Sequence, residues 1–144
     1  MSLTHPQVVA NDNIRPFRFC KPDDSGTPED FYVKEANANE KIIGIAGEGT
    51  NMPPLSDLVT TAYAAQAGQS FRMNGNGEVC LLEIGAAVAA GTYLKSDNEG
   101  RGVEIATTGT TLQRYGAMAL QHGAAAGEKI RVQVMIGSER PAIA

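Results

Sequence analysis

Two stretches of the chain repeat the same order of residue types, and this repetition constrains the fold more than any other feature. Each copy begins with a polar turn of spacing Lys-x-Asp-x-x-Gly, at Lys21 and again at Lys95, an offset of 74 positions (95 − 21). Two further matches follow in the same order: 41–46 with 113–118, and 65–73 with 124–132. A repeated series of turns and strands predicts a scaffold of two similar halves, which favours a structural or binding role over a catalytic pocket.

The composition indicates β structure in both halves. The 144 residues are 42% hydrophobic but only 19% charged, with 16 glycines and no tryptophan. This balance is typical of short strands and tight turns, and the length suits one domain with one core. We therefore predict a mainly β fold, a small antiparallel β-barrel or β-tulip-like sandwich built from two similar halves.

The predicted organisation is an extended N-terminal arm, a single β domain and a C-terminal tail: 1–15, 16–137 and 138–144. Pro6 and the polar cluster 11–13 leave the first segment too little periodic hydrophobicity to fold alone, which is why it is expected to be an arm. Within the β domain, the two copies of the repeat span about 18–73 and 92–134.

Two strand patterns are especially clear. The run Asn74-Gly75-Asn76-Gly77 tolerates positive φ and predicts a hairpin that joins the strand at 71–73 to a returning strand at 78–84. The final strand alternates strictly and should place its apolar side chains on one buried face: Ile130, Val132, Val134 and Ile136. We expect all strands to pair antiparallel.

The first copy of the repeat is longer than the second by about thirteen residues, which lie at about 47–63. The interval between matching glycines is 24 positions in the first copy and 11 in the second. The added segment starts as a loop, and Ser56 is a candidate N-cap for the apolar residues at helical spacing around it: Leu55, Leu58, Val59 and Ala62. We expect one short helix or a loop insertion. It is either a plain surface loop or the place where the two halves differ in function.

Charge and hydropathy exclude two classes of partner. The net charge is −4, from 12 basic and 16 acidic residues, and no basic stripe is present, so we expect neither nucleic acid nor membrane as a partner. No window approaches the roughly 18 apolar residues that a membrane span requires. The N-terminus lacks the cationic start of a signal peptide, so the protein is expected to be produced in the host cytoplasm.

The residues that usually carry chemistry form no catalytic pattern. His5 and His122 have no second ligand at the spacing of zinc motifs, so no metal site is predicted. Cys20 and Cys80 form no CxxC motif and are expected to be buried free thiols. The sequence contains no GxSxG, GxGxxG or P-loop motif, and its acidic pairs lie in turns. We therefore predict no enzymatic activity and no cofactor.

Three consecutive segments of the second half carry a family resemblance: 85–97, 114–120 and 124–134. The third reads Ala-Ala-Ala-Gly-Glu-Lys-Ile-Arg-Val-Gln-Val. In this order the segments resemble the small capsid decoration (cement) proteins of tailed bacteriophages and of related prophage and gene-transfer particles. The resemblance covers the C-terminal 50 to 60 residues best, and the insertion at 47–63 is not part of the family pattern.

The resemblance implies a non-enzymatic virion structural protein that binds the outer surface of the assembled capsid and stabilises or decorates it. It implies the major capsid protein as partner, a homo-oligomer with a trimer favoured, and an N-terminal arm that becomes ordered on the shell. Apolar residues of the arm, the first strand and the insertion are the expected capsid contacts: Leu3, Val8, Val9, Ile14, Phe17, Met52 and Leu55.

Two other classes of function remain open. A small trimeric β enzyme of nucleotide-hydrolase type, like the trimeric dUTPases, has similar length, but it needs a carboxylate for a metal-bound water and a phosphate loop. A carbohydrate- or receptor-binding module on a particle surface would stack sugars on exposed aromatic rings. The chain offers four tyrosines and no tryptophan for that purpose.

Overall fold

The computed structural model describes residues 7–22, 32–47, 65 and 70–139, and the ten regular elements within them are all β-strands. The mainly β prediction is confirmed. In chain order the strands are β1 (Gln7–Ala10), β2 (Phe19–Pro22), β3 (Tyr32–Glu35), β4 (Gly44–Ala46), β5 (Ser70–Asn74), β6 (Val79–Glu83), β7 (Tyr93–Ser96), β8 (Gly102–Glu104), β9 (Gln113–Ala119) and β10 (Lys129–Glu139).

The strands form two sheets, one from each half of the chain. Strands β1 to β5 close into a barrel in the order β1-β3-β2-β4-β5, which we call the first barrel. Strands β6 to β10 form a five-stranded sheet in the order β6-β10-β9-β7-β8, which we call the second sheet. If β1 to β5 are matched in turn with β6 to β10, every neighbour of the second sheet has its equivalent in the first barrel.

The registers of the two halves agree at the level of single residues in every antiparallel pair of the first barrel. They differ in one respect from the match seen in the sequence, because β4 and β9 correspond at an offset of 73 positions, whereas the match of 41–46 with 113–118 has an offset of 72. Residues of β1 and β2 match residues 74 positions later, as Val8 matches Leu82. The same matching carries every antiparallel pair of the first barrel onto a pair of the second sheet. Three such equivalences are Val8–Phe71 with Leu82–Ile130, Phe19–Ile45 with Tyr93–Met118, and Cys20–Glu35 with Leu94–Glu104.

The pairing between β1 and β3 is parallel, so the prediction of antiparallel pairing throughout was wrong. In the second sheet the equivalent contact is reduced to one parallel bridge between Ile84 and Gly102. The Gly85 N–H donates to the Gly102 carbonyl at 2.9 Å, as the Asn11 N–H donates to Val33 at 2.9 Å in the first barrel. The halves therefore share one topology and differ in how fully they close.

The prediction of a hairpin at 74–77 was also wrong. A turn is present, with the Glu78 N–H donating to the Gly75 carbonyl at 3.1 Å, but β5 and β6 do not pair with each other. Strand β5 pairs with β1 and β4, and β6 pairs with β10. Each of these strands pairs only within its own half, so this turn connects the two halves.

The segment that makes the first half longer lies between β4 and β5. This connection runs over 47–69 in the first barrel, whereas its equivalent between β9 and β10 runs over 120–128. The predicted insertion at 47–63 falls within this longer connection. The predicted helix around Leu55 to Ala62 lies outside the described residues.

Two clusters of buried apolar side chains hold the fold together. Cys20 and Phe71 belong to the cluster of the first barrel, and Leu94 and Ile130 belong to the cluster of the second sheet. Phe19, the neighbour of Cys20, lies on the opposite face of β2 and joins the second cluster, since successive strand residues point to opposite sides. The first barrel therefore contributes side chains to the core of the second half.

The final strand agrees with its predicted pattern until Val134. Ile130 and Val132 are buried, but Ile136 is 37% exposed. The register between β9 and β10 shifts between Val134 and Gly137, so the strand bulges there and the alternation changes face.

Phe17 and Gly91 occupy equivalent positions with positive φ angles of 61° and 88°. The Phe17 N–H donates to Ala46 at 3.0 Å, and the Gly91 N–H donates to Ala119 at 2.7 Å, so the same bend precedes β2 and β7. Positive φ costs a non-glycine residue roughly 1–2 kcal/mol. The bend is therefore imposed by the surrounding hydrogen bonds in the first half and is favoured by glycine in the second.

We expect Gly91→Ala to lower the free energy of unfolding by about 1 kcal/mol. A Cβ atom at Gly91 would meet nothing within 4 Å, so the loss would come from the backbone conformation alone. Gly75→Ala is the matched control, because Gly75 has no positive φ and its nearest neighbour would lie at 3.8 Å. Urea unfolding of both variants measures the difference, and equal losses would contradict the explanation.

Candidate functional site

The junction between the two halves carries a buried charged group that contacts both of them. The Arg18 guanidinium forms a 2.8 Å ion pair with Glu83 and donates to the Glu99 carbonyl at 2.8 Å. Burial lowers the pKa of Arg18, and the charge of Glu83 opposes this effect. Arginine keeps its charge even so. These contacts therefore lock the first barrel to the second sheet.

Further contacts extend the same junction. Arg15 forms a 2.8 Å ion pair with Glu35 within the first barrel, which raises the pKa of Arg15, and it reaches the second half by donating to the Glu99 carbonyl at 3.4 Å. The Asn39 side chain accepts from the Arg114 N–H at 2.9 Å and donates to the Leu112 carbonyl at 2.8 Å. Apart from Arg18 Nε, these groups find their partners within the chain. Their arrangement explains how the halves are held together and leaves no aligned acid and base.

Glycine permits the closest approach at the junction. The first barrel covers Gly116 so tightly that a Cβ atom there would lie 2.8 Å from both Phe19 Cε1 and Ile42 Cγ2. Real Cβ atoms do not come so close to carbon, so only glycine fits without rearrangement. In the structural register Gly44 corresponds to Ala117, the neighbour of Gly116, and Gly44 is itself closely packed against Met73.

Both cysteines are free thiols in the structure. Burial raises the pKa of Cys20, which is fully buried, and raises the pKa of the partly exposed Cys80 to about 12. A thiol is nucleophilic only as its thiolate. Neither residue is therefore set up to act as a nucleophile near neutral pH.

This gives a direct test by alkylation with iodoacetamide at pH 8. We expect Cys80 in the folded protein to react about a thousandfold more slowly than in the urea-unfolded chain, because its raised pKa reduces the thiolate fraction by about that factor. Mass spectrometry after digestion reports the rate at each cysteine. A folded rate within tenfold of the unfolded rate would contradict the assigned environment.

The described residues bring no metal-binding group together. Among the residues that the structure describes, no three His, Cys, Asp or Glu side chains come together as a metal-binding group. His122 accepts a hydrogen bond from the Ala90 N–H at 3.2 Å on the surface. An open depression of about 350 Å³ is lined by Lys41, Arg114 and Tyr115 among others, with no carboxylate in its lining. None of the described segments forms a helix suited to crossing a bilayer.

The predicted capsid-contact residues do not form one surface in the described part of the chain. Leu3, Met52 and Leu55 lie outside the described residues, and the backbone of Val8 pairs with Phe71 inside the sheet. Ile14 is fully buried in the first barrel, where it bridges to Ala65, so its side chain is not available to a capsid. Residues 7–15 therefore differ from the predicted free arm, because β1 pairs with both β3 and β5.

The remaining two predicted contact residues, Val9 and Phe17, are partly exposed. Val9 lies in β1, and Phe17 lies in the bend before β2, where the Lys129 ammonium is 5.8 Å from its ring centroid. The Phe17 carbonyl accepts from the Glu83 N–H at 2.9 Å. Phe17 thus belongs to the edge of the junction.

Sequence reasoning missed an apolar surface on the outer side of the second sheet, which we call the outer face. Residues paired directly across strands lie on the same side of a sheet. Val79, Met118 and Tyr93 are linked through Gln133 in one such row. Val79 is 60% exposed, and Tyr93 stacks on Tyr115 with ring centroids 4.2 Å apart. The sequence signal was present in β6, where apolar residues occupy both alternating positions.

No model of a known protein family matches the chain, and no curated protein matches it. A solved structure does match: the N base of the head fiber protein gp8.5 of bacteriophage phi29, with a TM-score of 0.58 and 14% sequence identity. The match covers 90% of this chain and 92% of the phage chain. The two chains therefore share a fold over almost their whole length, and at this identity the likeness concerns the fold alone.

Proposed function

We propose that the protein is a structural component of a tailed-phage or prophage virion that binds the outer surface of the assembled capsid. The major capsid protein is its partner, a homotrimer is the binding unit, and the particle exterior is its location. It carries out no catalytic reaction. Its role is to stabilise or decorate the shell.

The observation that carries this proposal is the shared fold with a phage head fiber base over 90% of the chain. An independent sequence resemblance, in the segments 85–97, 114–120 and 124–134, points to capsid decoration proteins of phages. The two likenesses rest on different properties, one on backbone topology and one on residue order. One likeness is to a phage head fiber protein and the other is to phage decoration proteins, so both support a virion structural role.

The architecture suits such a role for a physical reason. Two barrel-like halves joined by a buried ion pair and a shared core make a stiff body that needs no pocket. On a symmetric shell each weak contact is repeated many times, so linked copies gain avidity without strong individual binding.

Co-sedimentation with capsids tests the proposal. Mature capsids and unexpanded proheads are purified from the phage or prophage whose genome encodes the chain, and the tagged protein is added to each. We expect binding to saturate on mature capsids and to be at least tenfold weaker on proheads, because expansion changes the outer surface. Absence of binding to both particles would overturn the proposal.

The contribution of the N-terminus is tested by a shorter deletion than the arm prediction suggests. Removing 1–15 would delete β1 and the buried Ile14, so loss of binding would report unfolding. Deletion of 1–6 leaves every described strand in place. We expect this variant to fold with unchanged thermal stability and to bind capsids more weakly, whereas unchanged binding would exclude a role for these residues.

The two other functional classes are tested with the same preparation. A nucleotide hydrolase would release phosphate or pyrophosphate from nucleoside triphosphates in the presence of Mg²⁺. A carbohydrate-binding module would retain glycans on an array. Either activity at stoichiometric levels would replace the virion proposal.

A further inference from the structure

We propose that the outer face of the second sheet, around Tyr93, Met118 and Ile105, docks onto the first barrel of another copy of this chain, head to tail. The proposal deepens the self-association proposed above by naming its surface, and it does not depend on capsid binding. It rests on the equivalence of the two halves and on how they contact each other within one chain.

The first barrel shows what normally covers this face. Phe19 and Ile45 are cross-strand partners on the outer side of the first barrel, and both are fully buried against the second half. The Ala36 N–H donates to the Phe19 carbonyl at 2.9 Å and Ala36 is fully buried too. This trio is covered by the 96–100 turn and by Gly116, as the Phe19 N–H donation to Gly100 at 2.7 Å illustrates.

The second sheet presents the equivalent trio without the equivalent cover. Tyr93 and Met118 are cross-strand partners, and the Ile105 N–H donates to the Tyr93 carbonyl at 3.1 Å. All three side chains are apolar or aromatic and all three are partly exposed. Leu120, 43% exposed, follows β9 and extends the apolar surface. The equivalent positions therefore carry apolar or aromatic side chains in both halves. These side chains are fully buried in the first barrel and partly exposed in the second sheet.

The contact within the chain is heterologous, because different surfaces of the two halves meet. The first barrel uses its outer trio, and the second half uses its turn and Glu83. It follows that each chain retains one trio without such a cover, on the second sheet, and a covering surface on the first barrel, defined here by its described residues Val9 and Pro22. A second copy supplies the missing cover, and repetition of such a contact closes a ring when the rotation allows.

The unused surfaces are chemically matched to each other. Within the chain, Arg18 meets Glu83, and the equivalent positions hold Thr92 and Val9, so a charged pair is replaced by an uncharged pair. The Ser96 hydroxyl contacts the Ala36 carbonyl at 3.2 Å, and the equivalent positions hold Pro22 and Ile105. Docking would therefore bury no unpaired charge where Thr92 meets Val9 or where Pro22 meets Ile105.

Sedimentation of the free protein tests the proposal with three variants. We expect the wild-type chain to sediment well above its 15.2 kDa monomer mass. Met118→Glu places a charge in the trio, and Pro22→Glu places one on the covering surface, so each should weaken self-association about a hundredfold. Ala125→Glu adds the same charge in the exposed turn before β10 and should leave association unchanged. Circular dichroism melts confirm that all three fold.

Mixing the two defective variants separates head-to-tail docking from other arrangements. Met118→Glu retains an intact covering surface and Pro22→Glu retains an intact trio, so an equimolar mixture should form heterodimers and nothing larger. A monomeric wild type, a mixture that stays monomeric, or an Ala125→Glu variant as defective as Met118→Glu would each overturn the proposal. Loss of capsid binding with intact self-association would contradict the proposed function and leave this inference standing.

Discussion

Replacing Phe19 by alanine should lower the free energy of unfolding by about 3–5 kcal/mol. The side chain is fully buried and packs at the junction beside Ile42, over Gly116. Its removal leaves a cavity that the barrel and the sheet cannot fill by a small adjustment, because the backbones around it are fixed by strand pairing. Urea unfolding followed by fluorescence and circular dichroism measures the change.

The matched control is Val79→Ala on the outer face. Val79 is 60% exposed, so its truncation should change the free energy of unfolding by less than about 0.5 kcal/mol. Because the core of the second half includes Phe19, we also expect the Phe19 variant to unfold in one transition by both probes. A small loss, or a loss confined to a separate transition, would show that the halves are stabilised independently.

The second large effect is expected at the ion pair of the junction. Glu83→Ala should lower the free energy of unfolding by about 3 kcal/mol, because it leaves Arg18 buried without its anion. The Arg18 side chain is only 8% exposed, and its Nε already finds no hydrogen-bond partner within the described part of the chain. Chemical unfolding at low and high salt measures the loss, which should persist in salt because the pair is shielded from solvent.

Two controls distinguish a buried charge from a missing contact. Glu99→Ala removes a carboxylate that is 52% exposed and should cost less than about 1 kcal/mol. The double variant Arg18→Met with Glu83→Leu replaces both charges by apolar groups and should recover most of the stability lost in Glu83→Ala. If the double variant were as unstable as Glu83→Ala, the uncompensated charge would not be the cause.

The duplicated architecture could be predicted from the sequence because its signals are local. The spacing Lys-x-Asp-x-x-Gly encodes a turn through its own residues: the Asp97 carboxylate accepts from the Glu99 and Arg101 N–H groups at 2.8 and 2.9 Å. Gly100 follows with a positive φ of 78°. These hydrogen bonds join residues within one five-residue segment, so the repeated spacing predicts a turn without any knowledge of the fold.

Strand partners could not be predicted in the same way. The run at 74–77 has the residues of a hairpin, yet β5 and β6 do not pair with each other. Each of them pairs with distant strands of its own half. The parallel contact of β1 with β3 and the burial of Ile14 against Ala65 depend on residues far apart in the chain. For the same reason the predicted arm, 1–15, included the residues of β1, since four residues carry little periodic pattern by themselves.

The sequence contained a signal for the outer face, although the sequence analysis did not identify this surface. A strand buried on one side alternates, whereas β6 reads Val-Cys-Leu-Leu and is apolar on both sides. To decide which side of the second sheet is covered within the chain, its residues must be compared with their equivalents in the first barrel. This comparison depends on the pairing of Phe19 with Ile45. The site therefore became visible only when the two copies could be compared residue by residue.

The unequal connections between equivalent strands also have a practical consequence for protein engineering. The chain itself carries a long extension between β4 and β5, whereas the equivalent β9–β10 connection is short and ends in an exposed turn around Ala125. The scaffold therefore carries connections of very different length at equivalent positions. A foreign peptide spliced into that turn should be displayed without disturbing either sheet, which would make the protein a carrier for foreign epitopes.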